Sequence, residues 1–158
     1  MFRTFVKSVL VFGGLLVSGS LFAEGIEGPW LVEAKDAIVS VYKCAPNSDK
    51  YCGSLTWLSE PNYPANDDKG MAGKPRVDRE NPDPNLRSRP IVGLFMMWGF
   101  TKTADGKQYT GGSIYNSRNG KTYSGTITVV NDNTISLKGG YNIGFMLIGE
   151  SQVWTRAQ

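Results

Sequence analysis

Histidine is absent from the 158 residues of this sequence. Its absence excludes Ser-His and Cys-His catalytic dyads, histidine-ligated zinc and histidine-ligated haem. Hydrophobic residues make up 41% of the chain and charged residues 20%. Such a balance is ordinary for a globular protein and argues against a disordered, collagen-like or coiled-coil chain. The length fits one domain. We expect neither a cofactor nor a metal.

The N-terminal region has the pattern of a secretory signal peptide. Arg3 and Lys7 precede an apolar run over residues 9–17, and small residues follow it. The run is short for a membrane span, so an uncleaved anchor is the less favoured alternative. We expect cleavage after Ala23, which leaves a periplasmic protein with a single domain, residues 24–158, and no transmembrane segment.

Cleavage of residues 1–23 would leave a nearly neutral protein. The whole chain carries 17 basic and 14 acidic residues, a net charge of +3. Arg3 and Lys7 are removed with the signal peptide, so the remaining chain has 15 basic and 14 acidic residues and a net charge of +1. A surface with so little net charge does not attract polyanions, and nucleic acid is therefore excluded as a partner.

The two cysteines, Cys44 and Cys52, are predicted to form a disulfide. Both follow the predicted cleavage site, and an exported protein is expected to hold an even number of cysteines oxidised. The segment between them resembles a turn, and closing so short a loop stabilises a fold by about 2–3 kcal/mol. A redox-active pair is the alternative, but the spacing is not Cys-x-x-Cys and no cation is clearly placed to activate a thiol.

The rest of the chain alternates apolar and polar residues with the period of β-strands. Strands are predicted over residues 30–34, 37–44, 51–58, 91–100, 109–116, 121–130, 134–138, 141–148 and 150–156. The dipeptide Asn119-Gly120 is typical of a hairpin turn. Short consecutive strands joined by turns close most simply on themselves, since closure removes exposed edges. We therefore predict an all-β fold, a small antiparallel up-and-down β-barrel of about eight strands.

An outer-membrane barrel is the other exported all-β solution. Its strands need about 9–11 residues and an outward apolar band. Most predicted strands here are shorter. The strand over residues 121–130 also has one polar face, formed by Thr122, Ser124, Thr126 and Thr128. A barrel that spans a membrane is therefore not favoured.

Residues 59–90 are predicted to be one long irregular loop. They contain six prolines and keep neither the strand nor the helix period, and such a segment in a compact domain is either functional or loosely ordered.

The strand over residues 91–100 and the run 143–148 are apolar on both faces. Their outer faces must therefore be covered by another part of the protein, or they mark a surface that binds a partner. The loop is the preferred cover. A second subunit or an envelope component is the alternative, and the oligomeric state stays open.

The two ends of the chain resemble those of a lipocalin/calycin-like barrel. In such barrels a Gly-x-Trp in the first strand is covered by a basic side chain from the last strand. Here Gly28-Pro29-Trp30 opens the first strand and Trp154-Thr155-Arg156 ends the last. The resemblance implies that Arg156 stacks on Trp30 and joins the chain ends. Two unrelated core tryptophans are the alternative.

Several ordered motifs also resemble one bacterial family. They are Cys52-Gly53, the run 55–58, the run 78–94, Gly111-Gly112-Ser113-Ile114-Tyr115, Gly120-Lys121-Thr122-Tyr123, Gly139-Gly140-Tyr141 and Trp154-Thr155-Arg156. Together they are similar to the exported family called domain of unknown function 2147, from about residue 28 to residue 156. The resemblance implies a small exported barrel. It implies no reaction, because the family has no established biochemical role.

The segment 78–90 concentrates the polar candidates for a binding site: Asn81, Asp83, Arg87 and Arg89. Its acidic half could hold a hard cation through oxygen ligands, although the spacing is not that of an EF-hand. In an extended segment Arg87 and Arg89 point the same way and could grip an anion. The favoured alternative is that Asn81 and Asp83 build turns while Arg87 pairs locally.

Aromatic residues supply the candidate wall of a barrel cavity: Trp57, Trp98, Tyr115 and Tyr123, with Tyr141 beside them. A small barrel either holds one ligand or fills itself with side chains. The favoured alternative for these aromatic residues is a packed core.

Enzyme chemistry has little support. Glu80 and Asp83 are candidates for a glycosidase pair by residue type alone, and Ser113 has no histidine partner. The leading hypothesis is therefore non-enzymatic binding of a small ligand or an envelope component in a β-barrel. A structural or protein-interaction module of the cell envelope is the first alternative, and a hydrolase acting on envelope material is the second.

Overall fold

A computed structural model describes residues 25–158, and the predicted signal peptide lies outside the described residues. Eight antiparallel strands follow one another around a closed barrel, each paired with its neighbours in sequence order. The strands are β1 (Gly28–Leu31), β2 (Ala37–Lys43), β3 (Lys50–Leu58), β4 (Phe95–Lys102), β5 (Gln108–Asn116), β6 (Lys121–Asn131), β7 (Thr134–Ile143) and β8 (Met146–Arg156). The predicted all-β, up-and-down barrel is confirmed. Within residues 25–158, no helix has the length and apolar character needed to cross a membrane.

The up-and-down order divides the connections between two ends of the barrel. The β2–β3, β4–β5 and β6–β7 turns lie at one end together with both ends of the described chain. We call this the closed end. The other, the open end, carries the β1–β2 connection, the long β3–β4 segment and the β5–β6 and β7–β8 turns.

A hydrophobic core fills the barrel toward its closed end. Its members are Ile26, Trp30, Val39, Val41, Tyr51, Met97, Phe100, Tyr109, Ile114, Ile127, Ile135, Leu137 and Trp154. Phe100 fits into this core because Gly112 has no side chain. A Cβ atom at Gly112 would lie 2.3 Å from the Phe100 ring, closer than packed carbon atoms can approach.

The chain ends seal the closed end. The indole N–H of Trp30 donates to the carbonyl of Ile26 at 2.8 Å, and Ile26 is completely buried. The guanidinium of Arg156 lies over the Trp30 ring and donates to the carbonyls of Gly25 and Glu27. The first residues of the described chain are therefore held across the barrel by its last strand.

A disulfide joins Cys44 and Cys52, whose Cα atoms are 5.0 Å apart. It links the end of β2 to the start of β3, where Tyr42 and Cys52 are register partners. The covalent link therefore reinforces the closed end, away from the open mouth.

The segment between β3 and β4 is irregular, as predicted, but it is tied together by local contacts. Asn62 bridges Pro75 and Val77 bridges Pro90 in antiparallel fashion. Tyr63 is buried, and its hydroxyl donates to the carbonyl of Val77 at 2.9 Å. The one helical feature in the described chain is a short 3-10 turn, Pro84–Leu86.

Several predicted strand boundaries differ from the observed ones, and two of the differences have a clear local cause. The strand predicted over residues 91–100 begins only at Phe95, because the amide of Leu94 donates back to the carbonyl of Ile91 in a turn. The strand predicted over residues 141–148 contains the β7–β8 hairpin turn, with Gly144 at a φ of 62°. Apolar residues continue through both arms of this hairpin, so the alternation pattern hides the turn.

The barrel is closed along one seam by only two residue pairs. β1 has only four residues and pairs with β8 only at Trp30–Arg156 and Leu31–Thr155. β8 runs on toward the open end to Met146, paired there with β7. In the described part of the chain no strand pairs with the other edge of β8 over residues 146–154, so the barrel opens sideways toward its mouth.

Candidate functional site

A cavity of about 530 Å³ lies inside the open end of the barrel. This volume falls within the range of pockets that enclose small molecules. Most of the wall is apolar, and its apolar residues are Val32, Ala34, Ala37, Val39, Leu55, Leu94, Met96, Ile114, Leu137, Ile148 and Trp154. Val39, Ile114, Leu137 and Trp154 also belong to the core below, so they form the floor of the cavity.

Glu150 and Gln152 bring polar groups into this apolar wall. They lie on β8 between Ile148 and Trp154, and alternate residues of a strand share one face. Trp154 is 2% exposed and marks this face as the inner one. Gly139 is the register partner of Glu150 on β7, and its missing side chain leaves room beside the carboxylate.

An ion pair stands at the mouth of the cavity. Arg118 in the β5–β6 turn donates through Nη2 to Oδ2 of Asp36 in the β1–β2 connection, at 2.5 Å. Both residues line the cavity. The other carboxylate oxygen of Asp36 is buried and has no hydrogen-bond partner in the described chain. The pair therefore links two connections of the open end.

Tyr123 and Tyr141 stand on neighbouring strands at the cavity wall. Their ring centroids are 5.3 Å apart, and the Tyr123 hydroxyl accepts a hydrogen bond from Nδ2 of Asn119 at 2.9 Å. Tyr123, one of the aromatic residues predicted to line a cavity, therefore does line this one.

The other aromatic candidates have different surroundings. Trp57 is 44% exposed, and Trp98 stacks on Phe95 with a centroid distance of 5.9 Å. Tyr115 borders the cavity, but its hydroxyl donates to Asp78 in the β3–β4 segment. The predicted aromatic set is therefore divided between the cavity and other parts of the barrel.

A buried polar network surrounds Asp78, which is completely buried. One oxygen of Asp78 accepts from the Tyr115 hydroxyl at 2.7 Å. The other accepts from Nδ2 of Asn81 at 2.7 Å and from Nε and Nη2 of Arg89 at 2.8 Å each. Burial, followed by the hydrogen bond to Asp78, raises the pKa of Tyr115 to about 12. The network fastens the β3–β4 segment to β5.

The remaining polar candidates also have local partners. Nε of Arg87 donates to the carbonyl of Asn81 at 2.7 Å, and Asp83 accepts from the amide of Asn85 at 2.9 Å at the start of the 3-10 turn. Lys69 binds Glu80, and this hydrogen bond lowers the pKa of the Glu80 carboxyl. Anion binding by Arg87 and Arg89 stays a prediction.

Four of the predicted residues do meet at a second depression, of about 640 Å³, which is more open than the cavity. They are Asn81, Arg89, Trp98 and Tyr115. Phe95 and Lys50 border it as well. Trp57, Asp83 and Arg87 line neither this depression nor the cavity.

Sequence reasoning missed the charged residues of the cavity: Asp36, Arg118 and Glu150. For Glu150 a signal was present, since it shares the two-residue period of Ile148 and Trp154. For Asp36 and Arg118 there was none, because they are 82 positions apart. Across residues 25–158 no group of three or more Cys, Asp or Glu side chains is arranged to hold a metal ion.

Comparisons with known proteins identify the family. No curated protein matches the chain. A solved structure described as protein HP1028 from the human pathogen Helicobacter pylori, belonging to the lipocalin family, shares the fold with a TM-score of 0.65. The two chains are 19% identical over 84% of this chain and 83% of that one. A family model described as an uncharacterized protein conserved in bacteria (DUF2147) matches residues 28–156, and the chain belongs to this family.

Proposed function

We propose that the protein is an exported, non-enzymatic binding protein that holds a small, mainly apolar ligand in the open-end cavity. The observation that carries the proposal is the cavity itself, about 530 Å³ of space above a packed core. An apolar molecule in this space would lose contact with water, and burial of apolar surface is favourable. The few polar groups at the wall would fix its orientation.

The proposed compartment is the periplasm. A disulfide between Cys44 and Cys52 is typical of proteins in an oxidising compartment. The predicted signal peptide supports the same destination, and removal of residues 1–23 would release the barrel as a separate domain.

The seam between β1 and β8 gives a ligand a route to the cavity. β8 has a free edge over residues 146–154, and Ile148, Glu150 and Gln152 of this stretch line the cavity. Apart from the half-buried Leu147, residues 146–153 of β8 are exposed, so a ligand can enter without disturbing the packed floor.

One observation favours the alternative of a contact with an envelope component. The β7–β8 hairpin tip carries Ile143, Phe145 and Met146, of which Phe145 is 99% exposed. Exposed apolar side chains in one patch are typical of interaction surfaces. The patch adjoins the cavity through Tyr141 and Ile148, so an envelope contact and ligand binding are compatible.

A cavity-filling variant tests the proposal. A Cβ atom at Gly139 would lie 3.6 Å from Ile114, an ordinary contact distance, so Gly139→Val should fold and occupy part of the cavity. We expect a neutral apolar naphthylamine dye to bind the wild-type protein and to lose at least about tenfold in affinity for the variant, because the dye and the added side chain compete for space.

The matched control is Thr126→Val, on the outer face of β6 opposite Lys138. It also adds a valine to the sheet but leaves the cavity unchanged. Equal dye affinity in wild type, Gly139→Val and Thr126→Val would contradict binding in the cavity.

A further inference from the structure

We infer that the cavity selects amphiphiles with a cationic amine head group, and that Glu150 is the residue that recognises this head. The inference rests on the proposed function, since it names the ligand class of the same cavity. It makes Glu150 a specificity-determining residue.

The charges at the cavity wall carry the argument. Three charged side chains line the cavity: Asp36, Arg118 and Glu150. Asp36 and Arg118 neutralise each other in the ion pair at the mouth. Glu150 makes no ion pair with any cation of the described chain, and no hydrogen bond from a described residue reaches its carboxylate. One negative charge is therefore left over inside the mouth.

Glu150 contrasts with the carboxylates of the β3–β4 segment. Asp67 binds Arg79, Asp78 binds Arg89 and Glu80 binds Lys69. In this chain a carboxylate that is enclosed by structure usually has a cation beside it. Glu150 is exposed at the seam instead and lines a largely apolar wall, where a cationic head group would supply the missing counter-charge.

The hydrogen-bonding capacity of Glu150 favours the same head group. The carboxylate of Glu150 can only accept hydrogen bonds. An ammonium head brings up to three N–H donors to the Glu150 oxygens, whereas a carboxylate head would be repelled by them.

The position of Glu150 also sets the direction of the ligand. Trp154 lies on the floor, four residues further along β8, which corresponds to about 13 Å of extended strand. A head group at Glu150 therefore leaves the apolar wall below it for an alkyl chain that ends near Trp154, Leu137 and Ile114.

Titration calorimetry with three probes of equal chain length tests the inference: decylammonium, decanol and decanoate, each below its micelle concentration. We expect the wild-type protein to bind decylammonium more tightly than decanol, and decanol more tightly than decanoate. Glu150→Gln should weaken decylammonium binding by about three- to fivefold, the factor that an ion pair open to solvent supports. The same variant should leave decanol binding unchanged.

The control variant is Glu33→Gln. Glu33 is exposed in the β1–β2 connection at the same end of the barrel and does not line the cavity. It changes the net charge by the same amount, so a general electrostatic effect would appear equally in both variants. An equal effect of the two variants on decylammonium would overturn the inference.

The outcomes separate the inference from the proposed function. Equal affinities for the three probes, together with no response to Glu150→Gln, would overturn the inference and leave binding in the cavity standing. Absence of binding for all three probes would overturn both.

Discussion

The guanidinium carbon of Arg156 lies 4.4 Å from the centroid of the Trp30 ring, with the two residues paired across the β1–β8 seam. The same guanidinium donates to the carbonyls of Gly25 at 2.7 Å, Glu27 at 2.8 Å and Asp132 at 2.7 Å. One side chain therefore joins the first strand, the segment before it and the β6–β7 turn. This contact compensates for the short pairing between β1 and β8.

Arg156→Ala is expected to destabilise the fold by about 2–3 kcal/mol, because it removes a cation–π contact and leaves three carbonyls without their donors. Arg156→Lys should recover only part of this loss, since an ammonium cannot reproduce the fork of donors. Urea denaturation measures both variants. A loss below about 0.5 kcal/mol for Arg156→Ala, the size of an ordinary surface substitution, would contradict the role of this contact.

Replacement of Cys44 and Cys52 by serine should lower the free energy of unfolding by about 2–3 kcal/mol, because the open chain gains conformational freedom in the unfolded state. Ligand affinity should stay unchanged, since the disulfide lies at the end opposite the cavity. Denaturation and dye binding on the same double variant measure the two effects. Loss of dye affinity in a folded double variant would show that the two ends are coupled.

Asp78→Asn should destabilise the fold by about 2–3 kcal/mol, because Arg89 loses its counter-charge while Asn81 and Tyr115 lose a charged acceptor. The matched control is Glu60→Gln, whose exposed pair with Arg76 at 3.4 Å should contribute less than about 0.5 kcal/mol. Urea denaturation distinguishes them. Similar small losses in both variants would contradict a stabilising role for the Asp78 network.

The pKa of Tyr115 makes stability depend on alkaline pH. It is raised from 10.0 to about 12, so the protonated hydroxyl is favoured in the folded state. The stabilisation is complete below about pH 10 and is lost as the pH rises through about 12. Near-ultraviolet absorbance should therefore show a late tyrosinate step. Burial raises the pKa of Tyr109 too, so Tyr109→Phe serves as the control.

Tyr115→Phe should reduce the late absorbance step by one tyrosine, whereas Tyr109→Phe should retain the contribution near pH 12. An unchanged late step in Tyr115→Phe would show that another tyrosine is responsible.

The sequence carries enough information for the architecture of this protein. Strand alternation, turn dipeptides and the tryptophan and arginine at the two ends are local or terminal features, and together they favour a closed β-barrel. These features do not predict where each strand begins and ends. The apolar run through residues 141–148 conceals a turn, because only Gly144 marks the place where the chain reverses.

The candidate site was less predictable because it depends on contacts between distant positions. The Asp78 carboxylate meets Tyr115, 37 positions away, and Asp36 meets Arg118, 82 positions away. No periodicity encodes such pairs. For Glu150 the two-residue period with Ile148 and Trp154 was a local signal, but which face of β8 points inward is set by the whole sheet.

Native mass spectrometry of the protein recovered gently from the periplasm tests the central claim, ligand binding in the open-end cavity, most directly. The account predicts a reproducible mass above that of the disulfide-bonded chain in the wild type. It predicts that a smaller fraction of Gly139→Val carries this added mass, because the added side chain occupies part of the cavity. The bare mass in both proteins, or the added mass in equal fractions of both, would contradict it.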